Sequence, residues 1–329
     1  MRSEIGVGII GCGSVARWKY VKNLAEMSGV SLRAFYGGRA EEFQQQYGAP
    51  GSAVCRDLAE FLAREDVDAV CICTPNNSHA EIALAALRAR KHVLCEKPMA
   101  ATARQARQMF TAAEENGVVL MEAMRSLYAP GFARLRGLVQ AVGPVRRATL
   151  SYSKYSSRYE LVRRGEPTNI FSTEFATGAL MDLGVYCVHL ALGLFGAPQS
   201  LRAAAVKLAN GADGAGTILA CYEDKLAELL YSKITDGCLP GQIQGEQGTI
   251  LVHHPDNITR LEVLWRDGRR EDIRIQNPPN NMCGEARHFL YLLGGAPGYE
   301  EAKSQTLAAL ALMDEARRQT GLRFPADEA

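Results

Sequence analysis

Residues 5–16 constrain the fold more than any other stretch of this chain. Ile5-Gly-Val-Gly-Ile-Ile10 is a short apolar run of β type, and Gly11-Cys12-Gly13-Ser14-Val15-Ala16 follows at once. A helical pattern then runs from about Val15 to Met27. Strand, G-x-G-x-x-A turn and helix in direct succession are the parts of a dinucleotide-binding βαβ unit. Gly11 makes the tight turn, Gly13 lets the backbone approach a pyrophosphate, and Ala16 lets helix and strand pack closely. Cys12, Ser14 and Val15 complete the turn, and the helix offers its first N–H groups and positive dipole end to the phosphates.

The next hundred residues repeat the alternation. Strands are predicted over Val30–Tyr36, Val67–Cys73, Val93–Cys95 and Val118–Met121, and helices over Glu41–Tyr47, Leu58–Arg64, Ser78–Arg90 and Thr102–Asn116. Such a series folds as a parallel, doubly wound sheet, which places a Rossmann domain at residues 1–123. Ligands of these sheets lie beyond the carboxyl ends of the strands, and three stretches sit there. The first, Ala34-Phe-Tyr-Gly-Gly-Arg39, has no acid before Glu41. An acid there would hold a ribose 2′-hydroxyl, whereas Arg39 suits a 2′-phosphate, so the reading favours NADP with NAD as the alternative. The second, Thr74-Pro75-Asn76-Asn-Ser-His79, has small polar side chains suited to lining the cofactor path. Ser78 also suits the cap of the helix that follows. The third is Lys91-His-Val-Leu-Cys-Glu96-Lys97-Pro98-Met99, where Pro98 stiffens the turn that aims the Lys97 ammonium.

A chain of 329 residues is long for one core. Beyond Pro130 the pattern changes, and residues 124–329 read as a second domain. A helix over Phe132–Ala141 leads into strand-like runs at Arg147–Tyr155, Leu201–Leu208, Thr217–Tyr222, Leu226–Ile234, Gln242–Val252, Arg260–Trp265 and Glu271–Ile275. Turn dipeptides such as Asn210-Gly and Asp267-Gly punctuate them, so an α+β domain with a large, mostly antiparallel open sheet is expected. Helices over Gly284–Leu293 and Glu300–Arg318 close the chain. One face of so large a sheet needs cover, which points to a homodimer or a dimer of dimers.

Within this half, Gly178 to Phe195 is long enough for a helix and almost uniformly apolar, hence buried. Its polar side chains, Asp182, Tyr186 and His189, are spaced by four and then three, which aligns them in one stripe. A buried Asp requires a cation, and Lys97 is the one the motifs offer. Asp182 also suits the helix dipole, with a satisfied Tyr hydroxyl beside it.

A net charge of +1 gives no field for nucleic acid or an anionic membrane. Nine scattered cysteines without a C-x-x-C pair suit free thiols in a reducing compartment. Cys71 and Cys73 share a strand face but lack the further ligands a metal needs, so no metal is expected. With no leader-like or membrane-spanning run, a cytoplasmic location is expected.

Together the glycine turn, Thr74-Pro75-Asn76 with His79, Glu96-Lys97-Pro98 and Gly178-x-x-x-Asp182-x-Gly-x-Tyr186 resemble the Gfo/Idh/MocA oxidoreductases over essentially the whole chain. Leu120-Met-Glu-Ala123 and Thr320-Gly-Leu-Arg-Phe-Pro325 are most similar to the branch of dimeric dihydrodiol dehydrogenase and NADP-dependent D-xylose dehydrogenase. The resemblance implies Lys97 as a catalytic residue with Asp182 as its neighbour. Many members carry His four residues after the Asp; this chain has Tyr186, so His189 does not inherit that role. The dihydrodiol branch carries Trp and Arg where Arg125 and Leu127 stand here, so its substrate pocket is not simply inherited.

The implied reaction transfers a hydride between a nicotinamide cofactor and a secondary alcohol or ketone of a sugar, polyol or dihydrodiol. Tyr186 suits the proton acceptor because a nearby ammonium favours an ionised phenol; the roles of Lys97 and Tyr186 are interchangeable at this level. Substrate contacts are expected from Glu122, Arg125, Tyr155, Tyr159, Asn169 and Phe171. Two other readings stand: a non-catalytic nicotinamide-dinucleotide-binding regulator on the same fold, and an enzyme that keeps its cofactor through both half-reactions.

Overall fold

The structure, a computed structural model, describes residues 4–276 and 284–328. The chain forms two compact units. The first takes the chain to Ala100, Arg104–Ala123, and the helix Gly284–Leu293 with the stretch to Ser304; the second takes Met124 onward through the large sheet and returns from Gln305.

The first unit is built on six parallel strands, β1 (Ile5–Ile10), β2 (Val30–Tyr36), β3 (Ala53–Val54), β4 (Ala69–Ile72), β5 (His92–Glu96) and β6 (Leu120–Ala123), in the order β3-β2-β1-β4-β5-β6. The order reverses direction between β1 and β4, the switch point at which such sheets bind ligands. All four residues of β4 are buried, as a strand covered on both faces requires. The first helix is shorter than its apolar pattern: a π-helical stretch, Ala16–Val21, continues as the α-helix Lys22–Ala25.

The second unit carries an eight-stranded sheet of β7 (Val145–Ser153), β8 (Ser200–Lys207), β9 (Asp213–Cys221), β10 (Leu226–Ser232), β11 (Gly241–Gly245), β12 (Gly248–His253), β13 (Arg260–Trp265) and β14 (Arg270–Arg274). Every neighbouring pair is antiparallel except β7 with β10. The single strand expected over Gln242–Val252 is in fact two. Gly245 and Gly248 bracket a turn at Glu246-Gln247, and a Cβ at Gly245 would lie 2.3 Å from the Val142 carbonyl oxygen. The helix Val185–Phe195 packs on β7 and β10, over the face that buries Leu150, Ile218, Leu229 and Tyr231. On the other face Leu219, Leu230 and Leu251 stay half-exposed. No helix among the described residues is long and apolar enough to cross a membrane.

Candidate active site

The strands of the first unit are parallel, so the segments after β1, β2, β4 and β5 all emerge at one edge. Gly11 donates its N–H to the Tyr36 carbonyl at 2.8 Å, and Gly13 donates to Gly11 at 2.7 Å. Gly11 has φ +90° and its absent Cβ would lie 2.7 Å from the Cys73 backbone, so only glycine fits this turn. At Gly13 the opposite holds: a Cβ would find no atom closer than 4.0 Å. That open side of the turn, next to a helix start without a side-chain cap, is the room a pyrophosphate needs. A dinucleotide therefore fits these residues. Cys12 beside it is buried and its thiol is pushed up to about 12 by that burial, so it lines the cradle as an inert group.

Arg39 follows β2 and donates from Nε to the Cys12 carbonyl at 3.4 Å. Its guanidinium lies 5.8 Å from the Phe43 ring centroid, and Arg17 lies 5.4 Å from the same ring. Arg17 also pairs with Glu42. Two guanidinium groups thus flank one aromatic ring beyond the glycine turn, and motif spacing points only to Arg39.

Thr74 and Asn76 lie after β4, where Ser78 Oγ donates to Thr74 Oγ1 at 2.8 Å. His79 is fully buried, with Nδ1 2.9 Å from the Pro98 carbonyl and Nε2 2.8 Å from the Thr74 carbonyl. It clamps together the two loops that follow β4 and β5. Glu96 is buried at the end of β5, held by Lys19 Nζ at 3.0 Å and by the Tyr20 hydroxyl at 2.6 Å. Burial alone would raise its carboxyl; Lys19, Tyr20 and Lys97 outweigh it and hold it below the usual range. Glu96 also accepts the Lys97 N–H at 3.3 Å, so this carboxylate sets the backbone that carries the half-buried Lys97. The Lys97–Pro98 bond is cis. Glu122 is buried and accepts the Met99 N–H at 2.9 Å, which anchors the far side of the same loop.

In the second unit the polar stripe begins in a π-helical turn, Leu180–Gly184, that runs into Val185–Phe195. Such turns are frequent at functional sites. Asp213, fully buried on β9, accepts the Leu180 N–H at 2.7 Å and fixes the helix start. Gly178 leaves it room, since a Cβ there would meet Asp213 Oδ1 at 1.9 Å. Asp182 Oδ2 lies 2.7 Å from Lys233 Nζ, a cation that no motif offered. Lys233 also donates to the Ile170 carbonyl at 3.1 Å and sits 4.7 Å over the Phe171 ring.

Four residues on, Tyr186 is buried beneath Arg125, whose guanidinium lies 5.8 Å from its ring and hydrogen-bonds its side chain. Arg125 pairs in turn with Asp256. The Tyr152 ring meets Tyr186 edge-on at 5.5 Å, and its hydroxyl bonds Asp256. Tyr186 is therefore held by Arg125 and Tyr152 within its own unit. His189, the last residue of the stripe, is fully buried.

The remaining expected contacts divide by exposure. Tyr155 and Tyr159 are half-buried and meet edge-on at 5.8 Å; Asn169 is exposed; Phe171 is buried and 6.0 Å from Tyr159. Arg17, Tyr152, Lys233 and Asp256 escape sequence reasoning. Only Arg17 left a signal, as a basic residue next to the fingerprint alanine.

Comparison with known proteins decides the family. Residues 5–124 match the oxidoreductase family with an NAD-binding Rossmann fold, and residues 132–251 match the GFO/IDH/MocA C-terminal domain. Scyllo-inositol 2-dehydrogenase (NADP(+)) IolU of Bacillus subtilis is 40% identical, over 94% of this chain and 96% of its own. The chain is a Gfo/Idh/MocA oxidoreductase. Another relative of this Gfo/Idh/MocA chain is mouse trans-1,2-dihydrobenzene-1,2-diol dehydrogenase, 30% identical over 88% of each protein. Among solved structures, the 3-ketoreductase KijD10 of Actinomadura kijaniata, in complex with TDP-benzene and NADP, superposes with a TM-score of 0.81. It shares 25% identity, covering 96% of this Gfo/Idh/MocA chain and 98% of its own.

Proposed function

We propose that the protein is an NADP-dependent dehydrogenase that oxidises a secondary alcohol on a cyclic polyol or sugar, and reduces the ketone in reverse. The observation that carries this reading is the placement of Asp182 and Tyr186 one turn apart, each held by its own cation. The scyllo-inositol relative supports a cyclic polyol as the substrate class.

The glycine turn, Thr74, Pro75, Asn76 and the loop carrying Glu96 and Lys97 hold the dinucleotide, with Arg39 and Arg17 taking the 2′-phosphate. Bound NADP supplies the hydride acceptor. Lys97 is assigned to bind the substrate oxygen, Tyr186 to take the hydroxyl proton and Asp182 to orient the alcohol. Tyr155, Tyr159 and Asn169 are the substrate contacts, while Glu122, Arg125 and Phe171 support other groups, as their buried bonds indicate. The half-exposed leucines of the open sheet face support a homodimer, and the free, mostly buried cysteines among the described residues support a cytoplasmic location.

The test is reduced-nicotinamide absorbance with NADP and a panel of inositols and sugars. Lys97→Met is expected to lower kcat by about 10²–10⁴-fold while NADP still binds. Undiminished turnover in that variant ends the assignment. Tight NADP binding with silence across the panel favours the regulator.

A further inference from the structure

Lys233 is the deepest cation of the second unit, 2% exposed, and no sequence motif singles it out. Lysine is rarely buried unless its charge is paired. Its three contacts come from two separate segments. Asp182 Oδ2 stands on the helix start at 2.7 Å, the Ile170 carbonyl on the preceding loop at 3.1 Å, and the Phe171 ring beneath at 4.7 Å. The backbone of Lys233 is fixed as well, since its N–H donates to the Gly214 carbonyl at 2.8 Å, directly after Asp213. Asp182 shows the reverse exposure: 41% of its side chain is accessible while the lysine beneath it shows 3%.

We propose that Lys233 is a positioning residue for the reaction, acting through Asp182. This rests on the reading that Asp182 serves hydride transfer. The carboxylate sits in a π-helical turn, a form that recurs at functional sites. A buried ammonium bonded to one oxygen fixes its direction and leaves the exposed side of the group facing outward. The same ammonium ties the Ile170-Phe171 segment, and through Phe171 the ring of Tyr159, to the carboxylate. Lys233 thus sets the carboxylate and the loop beside it in one geometry. Misplacement of a reacting group by about 1 Å costs on the order of 10²-fold in rate, which is the scale expected here.

The experiment compares Lys233→Met, Lys233→Arg, Asp182→Asn and the double variant Asp182→Asn/Lys233→Met in the full chain, with NADP and scyllo-inositol. Lys233→Met is expected to lower kcat by about 10–10²-fold while the Kd for NADP and the KM for polyol stay within about twofold. Lys233→Arg, which keeps the charge, is expected to recover most of that loss. The double variant is expected to match Asp182→Asn within about twofold, because residues acting through one group are not additive. Wild-type kcat in Lys233→Met overturns the proposal, and so does a double variant tenfold or more below Asp182→Asn. The second comparison stands even if Lys233→Met alone does not fold, because the double variant leaves neither charge without its counterpart. Wild-type turnover in Asp182→Asn overturns the function assigned to Asp182 and this proposal with it. Impairment in both Lys233→Met and Asp182→Asn, with losses that add in the double variant, overturns the proposal alone.

Discussion

In the Lys19–Glu96 pair of the first unit the carboxylate is the deeper group, 7% exposed against 14% for the lysine. In the Lys233–Asp182 pair of the second unit the ammonium is the deeper group, 3% against 41%. Both pairs bring a lysine within 3.0 Å of a carboxylate, yet they are turned in opposite senses. The difference shows which charge each unit spends on structure. Glu96 is enclosed by Lys19, Tyr20 and the Lys97 N–H, so it builds the loop and stays there. Asp182 keeps an outward side because the group that neutralises it lies beneath. A carboxylate supported from below is suited to meet a ligand.

The largest expected effect comes from removing the cation of each pair. Lys19→Met strands a buried Glu96 and is expected to cost roughly 3 kcal/mol, the low end for a broken buried pair, since the Tyr20 hydroxyl remains. Lys233→Met leaves an Asp182 that water can reach, and is expected to cost about 1 kcal/mol or less. Denaturant unfolding of both variants checks this. A reversed order breaks the comparison, because it would mean that exposure does not decide which partner is structural.

Next in size is Gly178→Ala. Its Cβ would fall 1.9 Å from Asp213 Oδ1, in a place where the carboxylate already holds the Leu180 N–H. Overpacking of this kind costs about 1–3 kcal/mol. The displaced helix start carries Asp182, so kcat should fall along with the thermal midpoint, while NADP binding by the first unit is unchanged. A matching alanine at Gly13 meets no atom closer than 4.0 Å, so the empty protein should be as stable as wild type and the loss should appear in the Kd for NADP. One unit uses a glycine for its own packing; the other uses one to leave space for a ligand.

This contrast explains what could be read from the sequence. The first unit's candidate site is made of short contiguous motifs at the ends of parallel strands, so Gly11, Thr74, Glu96 and Lys97 can be nominated from spacing alone. The parallel order followed from alternation, and the mostly antiparallel sheet from the turn dipeptides. In the second unit the stripe of Asp182 and Tyr186 is legible because helix periodicity is local. The groups that hold it are not. Lys233 lies directly after β10 and Asp256 beyond β12, and nothing in their neighbourhood differs from an ordinary strand end. Such pairings exist only once the sheet has assembled. The strand over Gln242–Val252 is misread because its break at Glu246-Gln247 carries no Asn-Gly or Asp-Gly signal.

Cofactor choice gives a smaller effect that sharpens the comparison from the side of the first unit. Arg17 and Arg39 flank Phe43, and Arg17 already holds Glu42. Arg17→Met is expected to weaken NADP about tenfold, equivalent to about 1.4 kcal/mol, and to leave NAD within about twofold. Glu42→Gln should act in the opposite direction, because the phosphate then meets no competing carboxylate. Titration of both dinucleotides by fluorescence checks both variants. Equal losses for the two cofactors in Arg17→Met would place the guanidinium away from the 2′-phosphate.

The smallest effect, on the order of 1 kcal/mol, separates the units by the sign of their response to acid. In the first unit burial lowers His79 from its ordinary 6.5, although the Pro98 and Thr74 carbonyls, Glu96 and Glu122 pull it back up. Burial lowers His92 and His288 as well. The unfolded chain therefore takes up protons first, and stability is lost as pH falls through about 6.5 toward the folded values. In the second unit burial raises Asp213 from 3.8 to about 6, against the pull of the Leu180 N–H and Lys233. Here the folded state takes up the proton first, so stability is gained as pH falls through about 6 toward 3.8. Between about pH 5 and 6.5 the two units respond in opposite directions. Hydrogen exchange, corrected for the intrinsic pH dependence of the rate, reads each unit separately. Acidification should lower protection in the helix His79–Arg88 and raise it around Leu180–Gly184. His79→Gln should flatten the first trend and Asp213→Asn the second, each leaving the other in place. A loss of both trends in either single variant would show that the buried groups of the two units do not titrate independently.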